Sequence, residues 1–214
     1  MLIAGATSES GHAAARALAD SGADVIAVGR DPGKLETLSA MGARTEVCDL
    51  TDEDAVVALA RRLGDDGVRV DGLLHLVGGW RGGGGLAGQT EDDYRFLERS
   101  LTALRFVTRA FDAGLRASDA ARLAMISSTA VARPVAGSAN YATIKAASEA
   151  WMRAVAQGFA RSAKDAGHTL RAASVVFRVK ALAGLEQTVA ERFIGLWDVD
   201  AADVNDTVID LAAQ

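Results

Sequence analysis

Six short apolar runs, at residues 2–4, 24–30, 44–47, 70–77, 122–126 and 169–177, alternate along this chain with stretches of helical periodicity. The helical stretches span about 12–21, 31–41, 52–63, 90–116 and 139–164. Runs this short and this apolar are buried on both faces, as strands of a parallel sheet are, and a parallel pair needs a crossover of about a dozen residues. The alternation therefore predicts an α/β chain: a doubly wound parallel sheet with helices on both sides and right-handed crossovers.

With 214 residues, half of them apolar, the chain suits one domain spanning 1–214. A formal charge of −5 and a pI near 5.2 offer no basic field, so neither nucleic acid nor a membrane is an expected partner. Cys48 is the single cysteine and cannot close an internal disulfide. No run approaches the roughly 18 apolar residues of a membrane span, and Met1-Leu-Ile-Ala-Gly-Ala-Thr7 lacks the basic flank of a secretion signal, so the cytoplasm is the expected compartment. His12, His75 and His168 are widely spaced and carry no metal-ligand signature, so no metal site is expected.

In such a sheet ligands bind at the carboxyl ends of the strands. The first strand runs into Gly5-Ala-Thr-Ser-Glu-Ser-Gly11 and then a helix, an order that aims backbone N–H groups and a helix N-terminus at a pyrophosphate. The turns containing Gly5, Arg30, Asp49, His75, Ser128 and Val179 all fall on that edge.

The most chemically loaded stretch is Ser127-Ser-Thr-Ala-Val-Ala-Arg-Pro-Val-Ala-Gly-Ser-Ala-Asn-Tyr-Ala-Thr-Ile-Lys145, a strand end, a loop and the first turns of a helix that Ser138 or Asn140 can cap. Tyr141 and Lys145 are four residues apart, so they share one helix face roughly 6 Å apart along the axis. A free phenol titrates near 10, and a cation at about 4 Å favours its phenolate by up to about 4 kcal/mol at an effective dielectric near 20. Ser128 is placed to hydrogen-bond an oxygen that Tyr141 protonates. The bland alternative is a half-buried tyrosine beside a surface lysine.

Ser128 stands thirteen residues before Tyr141, and with Lys145 this spacing resembles the short-chain dehydrogenase/reductase family, over nearly the whole chain to about Leu211. The resemblance implies a Rossmann-type sheet of strand order 3-2-1-4-5-6 and catalytic roles for Ser128, Tyr141 and Lys145. Ser100 falls where the family has an asparagine that supports a water chain to the lysine. For the cofactor it implies Gly5, Thr7, Ser8 and Gly11 in the phosphate turn, with Glu9 in place of the family's middle glycine. It further implies Asp49 and Leu50 at the adenine, His75 and Gly78 where the family has N-N-A-G, Tyr141 and Lys145 at the ribose, and Val179 near the nicotinamide.

Gly29 replaces the acidic residue of an NAD-type site and Arg30 follows it, which by the resemblance implies NADP(H) in preference to NAD(H). Phe177-Arg178 replaces the family's P-G. The expected reaction is hydride exchange between nicotinamide and a small carbonyl or alcohol substrate; the alternative is a nucleotide-binding sensor or scaffold with little turnover. Trp80, Arg133 and Arg178 either border the substrate cleft or are surface side chains. Residues 197–211 read as a last helix, which leaves the family's usual seventh strand missing and predicts either a minimal member or a trimmed chain, with strand six as an exposed edge. A homo-oligomer formed through the long helices is expected.

Overall fold

The computed structural model describes residues 1–211. Seven parallel strands form one sheet: β1 (Leu2–Ala4), β2 (Ile26–Gly29), β3 (Arg44–Val47), β4 (Gly72–His75), β5 (Arg122–Ser128), β6 (Ala173–Val179) and β7 (Thr207–Asp210), in the order β3-β2-β1-β4-β5-β6-β7. Helices α1 (Glu9–Asp20), α2 (Pro32–Ala40), α3 (Glu53–Asp65), α4 (Glu91–Ala117), α5 (Ala139–Asp165), α6 (Glu186–Ile194) and α7 (Ala201–Val204) complete the chain.

The sheet sorts its side chains by the two-residue period of a strand. Leu2, Ala4, Ile26, Val28, Leu73, Leu123 and Met125 face the core shared with α3, α4 and α5. Ile3, Ala27, Leu74, Ala124, Val175 and Phe177 face the core under α1, α2 and α6. Phe159, Phe177 and Phe193 are fully buried, each contributing roughly 2–3 kcal/mol of apolar burial.

Local chemistry sets the helix starts. The Gly11 N–H donates to Ser8 Oγ at 3.0 Å, Asp31 caps α2 with Pro32 in the first turn, Asp52 caps α3 and Thr90 caps α4. The start of α5 differs from expectation, because neither Ser138 nor Asn140 supplies a side-chain cap. Gln89 does that work from the loop before α4: its Oε1 accepts from the Asn140 N–H at 3.1 Å, while Asn140 Nδ2 donates to the Thr90 carbonyl.

The expected absence of a seventh strand is corrected, and with it the expectation that strand six is an edge. β7 pairs in parallel with β6, from Val175 opposite Thr207 to Arg178 opposite Asp210. Val204, Val208 and Leu211 fall at helical spacing, which disguises the strand in the sequence. The helix actually ends at Val204, and Asp206 takes a left-handed φ of 62° that turns the chain back onto the sheet. Asn205 pins this turn, its Oδ1 accepting from the Ser174 N–H and its Nδ2 donating to the Ala156 carbonyl.

Candidate active site

Two adjoining cavities open at the carboxyl ends of the strands. The first, about 340 Å³, is lined by Gly5, Thr7, Ser8, Gly29, Arg30, Asp49, Leu50 and Gly78, together with Phe96, Arg99 and Ser100 of α4. Its shape depends on missing side chains. Gly5 has φ 88°, and a Cβ on Gly11 would stand 2.2 Å from the Ala6 carbonyl oxygen, so the turn reaches α1 only with glycine there. The N-terminus of α1 abuts this cavity, and Glu9, the residue in place of the expected glycine, is exposed as the first residue of the helix.

A glycine-lined cradle at a helix N-terminus, with a cation at the end of β2, fits a dinucleotide. Asp49 is partly committed elsewhere: its Oδ1 accepts from the Thr51 N–H at 2.9 Å and from the Thr51 hydroxyl at 2.7 Å, and Arg99 lies 3.7 Å from Oδ2. Burial opposes its charge, but the Thr51 hydrogen bonds outweigh it and leave the carboxyl below its ordinary value.

The second cavity, about 740 Å³, is lined by His75, Gly78, Trp80, Ser128, Arg133, Tyr141, Lys145, Val179 and Lys180 among others. Ser128, Tyr141, Lys145 and Val179, singled out in the sequence, thus share one cleft; Ser100, Asp49 and Arg30 line the neighbouring cavity. Arg178 does not border the cleft. Its guanidinium turns away and grips Glu149 of α5, with Nε to Oε1 at 2.8 Å and Nη2 to Oε2 at 2.6 Å.

Lys145 is buried and donates from Nζ to the Ile126 carbonyl at 2.8 Å, 5.8 Å from the centre of the Tyr141 ring. Burial pulls its ammonium down to about 8, with Glu149 opposing. Burial pushes the Tyr141 phenol up from its ordinary value, and the interaction with Ser128 pulls it down by less. Desolvation thus overrides the lowering that the lysine spacing suggested, and the phenol stays protonated at neutral pH, the form that donates a proton.

His75 ends β4 beside α4, with Nε2 3.3 Å from the Ser100 carbonyl oxygen. Burial, then the Lys145 charge, bring its imidazole down to about 3, so it is neutral, and Nδ1 is buried without a hydrogen-bond partner among the described residues. The Ser100 hydroxyl donates to the Leu97 carbonyl of its own helix at 2.7 Å.

The residues that sequence reasoning missed are Glu149 and Ser127. Ser127 Oγ donates to Glu149 Oε1 at 2.6 Å. The available signal was an acidic residue one turn beyond Lys145 on the same helix face. The glycine-rich stretch after β4 is anchored to its surroundings. The Gly83 N–H donates to the Gly137 carbonyl at 2.7 Å, and Arg81 stacks 4.0 Å over the Phe96 ring.

Known proteins resemble this chain in sequence and in fold. A family model described as enoyl-(acyl carrier protein) reductase matches residues 5–165, about three quarters of the chain. A protein named as a daunorubicin C-13 ketoreductase from Streptomyces sp. (strain C5) is 41% identical over 86 residues, covering 37% of this chain and 30% of that protein. The 1-hydroxy-2-glutathionyl-2-methyl-3-butene dehydrogenase of Rhodococcus sp. (strain AD45) is 38% identical over 79 residues, 36% of this chain and 34% of its own length. The matched stretch therefore spans about a third of each curated relative. Among solved structures, a protein described as a short-chain dehydrogenase from Shigella flexneri 2a, complexed with NADP, superposes with a TM-score of 0.84 at 22% identity over 98% of this chain and 95% of that one. An NADPH-bound short-chain oxidoreductase from Pseudomonas aeruginosa PAO1, described as containing an atypical catalytic centre, gives 0.84 at 18% identity over 99% and 94%. At these identities the structural likeness concerns the fold.

Proposed function

The chain belongs to the short-chain dehydrogenase/reductase family, and from that membership we propose that it is an NADP(H)-dependent oxidoreductase acting on a small carbonyl or alcohol substrate. The observation that carries the reading is the convergence of Ser128, Tyr141 and Lys145 on one cleft beside a glycine-lined cradle. Gly5, Thr7 and Ser8 would hold the phosphates, with Gly11 packed behind them against Ala6 to let the turn enter α1, Asp49 and Leu50 would hold the adenine end, and His75, Gly78 and Val179 would form the walls near the nicotinamide. The nicotinamide, when bound, supplies or accepts the hydride.

The side chains do the rest. Ser128 orients the substrate oxygen, and Tyr141, kept protonated by burial, gives it a proton in the reducing direction. Lys145, fixed on the Ile126 carbonyl, presents positive charge beneath the phenol as the proton leaves. His75, close enough to feel the Lys145 charge, meets the Ser100 carbonyl at 3.3 Å, and these two groups are the candidates for a relay from the lysine.

NADP(H) over NAD(H) is supported by Arg30 at the end of β2, where Gly29 leaves no carboxylate to repel a 2′-phosphate. The daunorubicin ketoreductase name supports reduction of a ketone. We also propose a homodimer formed through the outer faces of α4 and α5, which light scattering at tens of micromolar tests directly. The test of function is NADPH oxidation against a panel of ketones, aldehydes and keto acids. Turnover of at least one of them is the expected result, and cofactor binding with no turnover across the panel would favour a sensor or scaffold.

A further inference from the structure

Three successive residues at the end of β5 face a row on α5, and two of them hold its members by hydrogen bonds. The Ile126 carbonyl accepts from Lys145 Nζ at 2.8 Å, Ser127 Oγ donates to Glu149 at 2.6 Å, and Ser128 interacts with Tyr141. Tyr141, Lys145 and Glu149 follow at four-residue intervals, so they form one stripe facing the strand. Arg178 stands opposite Ser127 in the parallel register of β5 and β6, and from there its guanidinium meets the Glu149 carboxylate in a two-point contact.

Glu149 is 3% exposed and Ser127 fully buried, so this carboxylate is removed from water. Burial opposes its charge, but hydrogen bonds from Arg178 and Ser127 outweigh that and hold it below the ordinary carboxylate value. It is therefore a fixed negative charge one helical turn beneath a buried ammonium. A surface pair at the same spacing would be screened; this one is screened much less.

We propose that the Glu149–Arg178 pair is a positioning device for the reacting end of α5: Arg178 and Ser127 lock Glu149 in place, and the locked carboxylate keeps Lys145 an ammonium despite its burial. The role in turnover rests on the reading above, that Lys145 and Tyr141 act on substrate; the charge relationship does not. It also gives Phe177-Arg178 a purpose, since the arginine that replaces the family's glycine serves α5 instead of the cleft.

The other groups around Lys145 do not supply this charge. His75 from β4 is neutral, Tyr141 is protonated, and Arg133 and Lys180, which line the same cleft, are cationic. Around Glu149 itself, Arg153 of α5 adds attraction, and Asp210 of β7 acts on Arg178 from its far side. Burial lowers the lysine, and Glu149 is the carboxylate that acts against it.

The test follows Lys145 directly. The chain has four lysines, so selective lysine labelling gives a simple NMR spectrum, and the signal lost in Lys145→Met identifies the residue. Its titration is compared in the parent, Glu149→Gln, Arg178→Gln and the double variant, alongside the alkaline limb of kcat/KM. Glu149→Gln is expected to move the titration about one pH unit lower, the size of a charge one turn away in a partly screened interior. Arg178→Gln, which leaves the carboxylate but removes its lock, is expected to cause a smaller downward move than Glu149→Gln. The double variant removes the unpaired cation and so keeps the fold should Glu149→Gln fail to fold, and it is expected to repeat the downward shift. An unchanged Lys145 titration in a folded variant lacking Glu149, or the same downward move in Arg178→Gln, would overturn the proposal. A titration that shifts while kcat/KM keeps its alkaline limb would support the charge device and overturn the participation of Lys145 in turnover.

Discussion

Lys145 Nζ lies 2.8 Å from the carbonyl oxygen of Ile126, a backbone group on the neighbouring strand that cannot follow side-chain motion. The contact satisfies one of the three ammonium donors and fixes the charge 5.8 Å from the centre of the Tyr141 ring. Burial lowers the lysine from 10.5 to about 8, so its charge is present below that pH and lost above it. Reductive kcat/KM is therefore expected to fall as pH rises through about 8, while His75, neutral above about 3, contributes no limb between pH 5 and 8. Steady-state rates from pH 6 to 10 check this, and a flat profile across that range would contradict it.

Tyr141→Phe removes the proposed donor and leaves the ring that packs beside Lys145. Turnover is expected to drop by about 10²-fold or more with cofactor affinity retained, the usual size of a general-acid contribution. Rates and calorimetric titration on the same preparation separate the two effects, and near-normal turnover would remove Tyr141 from the chemistry.

Arg30→Ala tests cofactor choice. A charge-assisted contact of about 1.5–3 kcal/mol corresponds to roughly 10- to 150-fold in binding, so NADPH is expected to bind that much more tightly than NADH in the parent. The variant should lose most of the ratio while binding NADH as before. Equal affinities in the parent, or an unchanged ratio in the variant, would assign the preference elsewhere, with Arg99 on the same cavity as the next residue to change.

Arg122 sits at the opposite end of β5 from the cleft, buried, and donates to the carbonyls of Ala121, Arg171, Leu196 and Val199 at 2.7–3.0 Å. Arg122→Met leaves these acceptors without their donor. A loss of about 3–5 kcal/mol in urea unfolding is expected, with kcat/KM of the surviving folded protein close to that of the parent.

Asn205→Ala severs both side-chain bonds that hold the turn into β7. A cost of about 1–3 kcal/mol is expected, with faster exchange of the β6 amides that Ser174 to Arg178 contribute next to β7. Unaltered exchange on β6 would mean that the strand pairing holds without this anchor.

Sequence alone determined the fold class, because two-residue and helical periodicities are local properties that survive without any knowledge of contacts, while the order of the first six strands came with the family resemblance. It also placed Tyr141 and Lys145 within reach of one another, since four residues on a helix leave little geometric freedom, while Ser128 joined them through the family's spacing. Tertiary structure decided the rest. β7 was hidden because Val204, Val208 and Leu211 mimic a helix stripe, and only the left-handed turn at Asp206 and the open edge of β6 make a strand the better solution. Arg178 reads in sequence as either a cleft residue or a surface arginine, yet register sets it opposite Ser127 and within reach of Glu149. The same holds for protonation: spacing suggested that Lys145 lowers the phenol, whereas the depth at which Tyr141 is buried raises it. Desolvation depends on everything packed around a group, and that sum exists only in the folded chain.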